Sequence, residues 1–129
     1  MKKQIGYVIA VLVVVLGLAV FFAQKDATPG QYDSFATCIK DSGATFYGTF
    51  WCPHCRDQKA MFGSSVKLLP YVECSTPDGK NQTAICAEKE IKSYPTWIFA
   101  DGSIGNGTQD FKALASSTGC TLPQEVLTQ

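Results

Sequence analysis

Two cysteines with a proline and a histidine between them, Cys52-Pro53-His54-Cys55, stand where a β-branched and aromatic run, Ala44 to Phe50, gives way to the helix formers Arg56 to Met61. The spacing predicts a strand-to-helix junction with Cys52 at the first helical turn. A thiol there faces unpaired backbone N–H groups and the positive end of the helix dipole, which favour thiolate over thiol. Cys52 is therefore the expected nucleophile. Cys55, about one turn on, can close a small disulfide with it that opens again by exchange. Pro53 gives up an N–H the first turn does not use, and a protonated His54 adds a second positive charge beside the sulfur. The rival readings are a static disulfide or a metal site. Zinc knuckles need a second ligand pair, and His54 is the chain's single histidine. A surface module holding copper or zinc on Cys52, Cys55 and His54 is thus the alternative of another class, and the leading expectation includes neither metal nor cofactor.

The second constraint lies at the N-terminus. Met1-Lys2-Lys3 precedes an apolar run from Ile5 to Ala23 that, at about 1.5 Å per residue, matches a bilayer's hydrocarbon core. A cleaved signal peptide is the rival, but its apolar region is usually shorter and the end of this run, Val20 to Ala23, is not an A-x-A cleavage site because Phe21 holds the minus-three position. The reading is one transmembrane helix over residues 1–23, a polar linker over 24–30 and a single domain over 31–129. Lys2 and Lys3 place the N-terminus in the cytoplasm and the domain in a periplasm, lumen or extracellular space.

The chain is neutral overall, so removing Lys2 and Lys3 leaves the domain at a net charge of about −2, which gives no footing for nucleic acid. Six cysteines in so short an exported domain read as a disulfide framework plus a working pair. With Cys52 and Cys55 set aside, Cys38, Cys74, Cys86 and Cys120 allow three pairings, which spacing alone leaves open.

Periodicity predicts a helix over Tyr32 to Asp41, capped by Asp33 or Ser34, and then the strand Ala44 to Phe50. The motif helix runs from Cys52 to about Gly63, and Pro70 to Cys74 reads as a strand. Ser75 to Gln82 is a loop and Thr83 to Ile91 a helix capped by Thr83. The strands Tyr94 to Phe99 and Ser103 to Gln109 flank a turn, and Asp110 caps a last helix to about Ser117. The order is α-β-α-β-α-β-β-α, a mixed α/β domain with helices on both faces of a small sheet.

These residues carry a resemblance. Phe50-Trp51-Cys-Pro-His-Cys55 with Tyr94-Pro95-Thr96 opening a later strand resembles the thioredoxin fold, in the DsbA-like Cys-Pro-His-Cys form. Tyr47-Gly48, Asp57-Gln58-Lys59, Met61-Phe62-Gly63, Pro70 to Cys74 and Ser93 to Ile98 are similar to the thioredoxin-like domain fused to bacterial and chloroplast homologues of vitamin K epoxide reductase. The resemblance implies an exposed attacking Cys52, a buried resolving Cys55, and Pro95 as a cis-proline facing the active site. Tyr94 and Trp51 would then border the substrate groove. It also implies a structural disulfide between Cys74 and Cys86. Cys38 and Cys120 lie outside the family pattern, and an additional disulfide is favoured for them over a second exchange pair or free thiols. Thioredoxins carry an acid six residues before the first cysteine, where this chain has Phe46.

The expected function is a membrane-anchored, extracytoplasmic thiol–disulfide oxidoreductase that forms disulfides in exported proteins. Its implied partners are exported protein thiols and a quinone-linked, vitamin K epoxide reductase-like membrane enzyme that reoxidises it. A single span lacks the quinone-holding bundle, so the chain would be a detached partner of such a reductase. The same machinery run backwards, as a reductase or isomerase, is the nearest rival, since a motif does not set a reduction potential.

Overall fold

The structure, a computed structural model, describes residues 2–25 and 29–127. Part of the expected linker, residues 26–28, and the last two residues of the expected domain lie outside them. The first helix, α1, spans Lys2–Lys25 and runs through the whole apolar stretch, 24 residues long. Among the described residues no helix is long and apolar enough to cross a membrane.

The domain follows as α2 (Asp33–Asp41), β1 (Thr45–Gly48), α3 (Pro53–Met61), a 3-10 segment (Gly63–Leu68), β2 (Tyr71–Glu73), α4 (Ala84–Glu88), β3 (Thr96–Ile98), β4 (Ile104–Asn106), α5 (Phe111–Thr118) and α6 (Gln124–Leu127). The four strands form one mixed sheet in the order β2-β1-β3-β4. β1 and β2 run parallel with Phe46 opposite Tyr71 and Gly48 opposite Glu73; β1 and β3 run antiparallel with Phe46 opposite Trp97. The arrangement fits a thioredoxin-like fold.

Alternation along β1 sends its side chains into two cores. Phe46 stacks on the Trp97 ring at 4.8 Å and joins Phe35 and Ile39 of α2, Phe62, and Phe111 and Leu114 of α5. Tyr47 points the other way, to Cys74, Ile91 and Cys86 of α4. Helices therefore cover both faces, and β1, the central strand, ends at the motif.

Several expected boundaries move. α2 starts after Tyr32 without a side-chain cap, and the Asp33 carboxylate instead accepts from the Gly30 N–H at 2.9 Å. α4 stops at Glu88 rather than Ile91, because Glu90 turns left-handed (φ 53°) and the Ile91 N–H returns to the Cys86 carbonyl. Thr83 holds the N-cap position, but its hydroxyl donates to the Glu73 carbonyl, tying α4 to β2 instead of capping it. α5 matches its sequence signals closely: Asp110 accepts from the Ala113 N–H at 2.7 Å and Gly119 closes the helix at φ 73°. The short α6 was not foreseen; Leu122 and Val126 lean on the core beside it.

Candidate active site

The Thr49 carbonyl accepts the Cys52 N–H at 3.3 Å, which folds the end of β1 into the first turn of α3. Cys52 is the N-cap residue in extended conformation, Pro53 follows at the start of the helix, and the Arg56 N–H closes the first turn on the Cys52 carbonyl. The Tyr94–Pro95 peptide bond is cis, and the Cys52 Sγ lies 3.6 Å from the Tyr94 carbonyl oxygen. Cys52, Tyr94 and Pro95 are thus brought to one point from α3 and the entry to β3. Trp51 meets Tyr94 edge-on at 6.1 Å.

Cys52 departs from the exposed position expected of it. It is only 5% exposed, because the Tyr94 backbone covers its sulfur, and Cys55 behind it is 0% exposed. The exposed groups at the motif are Pro53, His54 and the large apolar Phe50 and Trp51, the last two each about half exposed. Cys52 and Cys55 are both free thiols, and burial pushes the Cys55 thiol up to about 12, while a backbone hydrogen bond from Thr49 and the charge of Lys59 pull the other way. His54 turns outward, 3.7 Å from the Asp57 carboxylate, so the charge it would lend the thiolate is partly answered within its own helix. Among the described residues no three His, Cys, Asp or Glu side chains gather so as to hold a metal ion, which leaves the set Cys52, Cys55 and His54 without the geometry of a ligand cluster.

The other four cysteines are bonded in two pairs, Cys74 to Cys86 and Cys38 to Cys120. The first closes a twelve-residue separation whose loop forms one wall of the site. Trp51 donates its indole N–H to the Ser75 hydroxyl at 3.0 Å, and Gln82 donates to the Tyr94 phenol oxygen at 2.7 Å, with Ser75 and Gln82 bridged to each other. Behind this wall a cavity of about 130 Å³ opens between Thr49, Trp51 and Tyr94, and among the described residues the buried Thr49 hydroxyl has no hydrogen-bond partner.

Three contributors escape the sequence reading of the site. A Cβ on Gly48 would stand 2.9 Å from the Cys55 sulfur and 3.0 Å from the Tyr71 ring, so only glycine lets Cys55 lie against β1. Gln58, fully buried, accepts from the Trp97 indole and the Gln109 N–H and donates to the Gln109 carbonyl, which fixes α3 over the sheet. Glu73 accepts from the Phe50 N–H, the Ser75 N–H and the Tyr71 hydroxyl, joining the motif loop to β2. Gly48 and Gln58 stood in the resemblance without a role; no periodicity distinguishes a buried glutamine from a solvated one.

Comparison with known proteins completes the description. No family model matches the chain. Over 96 residues, 70% of its length, it is 44% identical to the thiol-disulfide oxidoreductase LTO1 of Arabidopsis thaliana. The chain is a homologue of a thiol-disulfide oxidoreductase. It spans about a quarter of the length of that relative, so the likeness reaches one portion of LTO1 and not the whole. In this oxidoreductase homologue two free thiols sit at a helix start beside a cis-proline, and four further cysteines are held in bonds. A thiol pair so placed can exchange its disulfide with an incoming thiol.

Proposed function

We propose that the chain is a membrane-anchored thiol–disulfide oxidoreductase that donates the Cys52–Cys55 disulfide to thiols of exported proteins. The observation that carries this reading is the placement of Cys52: at the start of α3, against the Tyr94 carbonyl, with Cys55 buried one turn behind. A substrate thiolate attacks the Cys52 sulfur, the Cys52–Cys55 bond breaks, and its electron pair leaves on Cys55, which then takes a proton. A second substrate thiolate attacks the substrate sulfur of the mixed disulfide and expels Cys52. The substrate gains a disulfide and the chain ends as the dithiol. The raised Cys55 thiol suits this direction, since after protonation it does not readily attack the mixed disulfide and reverse the step.

The anchor is supported by the run Ile5 to Ala23 and by the exposure of its described side chains, Ile5, Val13 and Leu16 among them, on a helix of 24 residues. The two bonded pairs Cys38–Cys120 and Cys74–Cys86 fit an oxidising compartment outside the cytoplasm. The reoxidising partner in this reading is a quinone-linked, vitamin K epoxide reductase-like membrane enzyme.

The test uses Cys55→Ala in the full chain, which leaves Cys52 able to form a mixed disulfide that nothing internal resolves. Capture of exported proteins and of one membrane thiol oxidase through Cys52, with reoxidation of the wild-type chain in vesicles on adding quinone, is the expected result. Capture of cytoplasmic proteins only, or reoxidation indifferent to quinone, would reject the assignment.

A further inference from the structure

When the Cys52–Cys55 bond opens, charge appears on Cys55, a sulfur with no solvent exposure. An unaided buried thiolate is a poor leaving group, and the acid that thioredoxins place nearby is replaced here by Phe46. The groups around Cys55 are therefore informative. Gly48 separates its sulfur from the Tyr71 ring on β2. Lys59, one turn further along α3, shares the helix face of Cys55 and places its Nζ 3.4 Å from the centre of that same ring. Lys59 is half-buried, and among the described residues no carboxylate pairs with it. Tyr71 is fixed in turn: its hydroxyl donates to Glu73 at 2.7 Å, and its ring meets Phe46 edge-on at 5.0 Å. Of the other ionisable side chains on α3, Arg56 is exposed, and His54 and Asp57 are exposed with His54 Nδ1 3.7 Å from the Asp57 carboxylate.

We propose that Lys59, held on the Tyr71 ring, is the electrostatic partner of the Cys55 thiolate formed when the active-site disulfide is opened. Phe46 packs edge-on against that ring, and Glu73 keeps the ring in place. The inference rests on the exchange reading of the site and adds the group that stabilises its leaving sulfur. In the attack step the substrate sulfur bonds to Cys52, the Cys52–Cys55 bond breaks, and the electron pair comes to rest on Cys55 beside an ammonium that needs no rearrangement to receive it. Water then supplies the proton that neutralises the thiolate. The ring holds the cation without neutralising it, which a carboxylate partner would not do. The charge of Lys59 acts on Cys55 in the same sense, favouring its ionised form.

The experiment measures how fast glutathione opens the disulfide of the oxidised full chain in detergent micelles at neutral pH, alongside the reduction potential. Lys59→Met, which keeps the stem, should slow opening about tenfold, and Lys59→Arg should stay within about threefold of wild type. The potential should move far less than the rate, because Cys55 is a neutral thiol in the resting reduced chain of each variant. Lys59→Gln serves as a second neutral variant should Lys59→Met fold poorly. A rate unchanged in both neutral variants overturns the proposal, as does equal slowing in Lys59→Arg. Were wild-type chain itself inert to glutathione, the exchange reading would fall first and this with it.

Discussion

At the scale of single residues the site depends on Cys55 being out of water. Its thiol keeps its proton to about pH 12 in the folded, reduced chain, whereas an unfolded cysteine gives it up near 8.5. Between those values the folded state binds more protons than the unfolded one, so stability that is complete below about pH 8.5 is lost as pH climbs toward 12. The Cys52–Cys55 disulfide has no such proton. The unfolding midpoint of the reduced chain should therefore fall away from that of the oxidised chain as pH rises above about 9, and the two curves read by circular dichroism check it. Gly48 supplies the space for this burial. Gly48→Ala brings a methyl to 2.9 Å from the Cys55 sulfur and 3.0 Å from the Tyr71 ring, and should cost about 1 to 3 kcal/mol in urea unfolding while slowing exchange.

At the scale of elements the segment closed by Cys74–Cys86 does two things. Its bond removes entropy from an unfolded loop of twelve residues' separation, which contributes about 3 kcal/mol. It also presents Ser75 to Trp51 and Gln82 to Tyr94, the two side chains that flank Cys52. Cys74→Ser with Cys86→Ser should thus lower the unfolding free energy in urea by that amount and slow exchange with a peptide thiol severalfold, whereas a purely remote staple would change only the stability. Much of this level was legible beforehand. The strand-to-helix junction at the motif follows from a composition change at Phe50, and α5 from an aspartate and a glycine at its two ends. What escaped were residues whose meaning is tertiary. Thr83 has the form of a cap but spends its hydroxyl on β2; Gln58 has the form of a surface residue but meets the Trp97 indole; Lys59 and Tyr71 meet only because β2 lies parallel to β1. The exposure of Cys52 was misjudged for the same reason, since the Tyr94 backbone that covers it arrives from 42 residues away.

At the scale of the whole molecule the Cys38–Cys120 bond joins α2 to the end of α5 across a separation of 82 residues, enough to contribute about 4.5 kcal/mol if the unfolded chain is otherwise free. Cys38→Ser with Cys120→Ser should lower stability by more than loss of Cys74–Cys86 does, yet leave the exchange rate of folded protein near wild type, because among the described residues no hydrogen bond joins either cysteine to residues 52–55. The central claim is that one pair among the six cysteines turns over while the other two bonds hold. The most direct measurement is to let the oxidised full chain react with a reduced dithiol peptide, quench with acid, alkylate, and map the labelled cysteines by mass spectrometry. The account predicts label on Cys52 and Cys55 in step with disulfide formation in the peptide, with Cys38, Cys74, Cys86 and Cys120 unlabelled; label on any of those four as early as on Cys52, or peptide oxidised with Cys52 unlabelled, would contradict it.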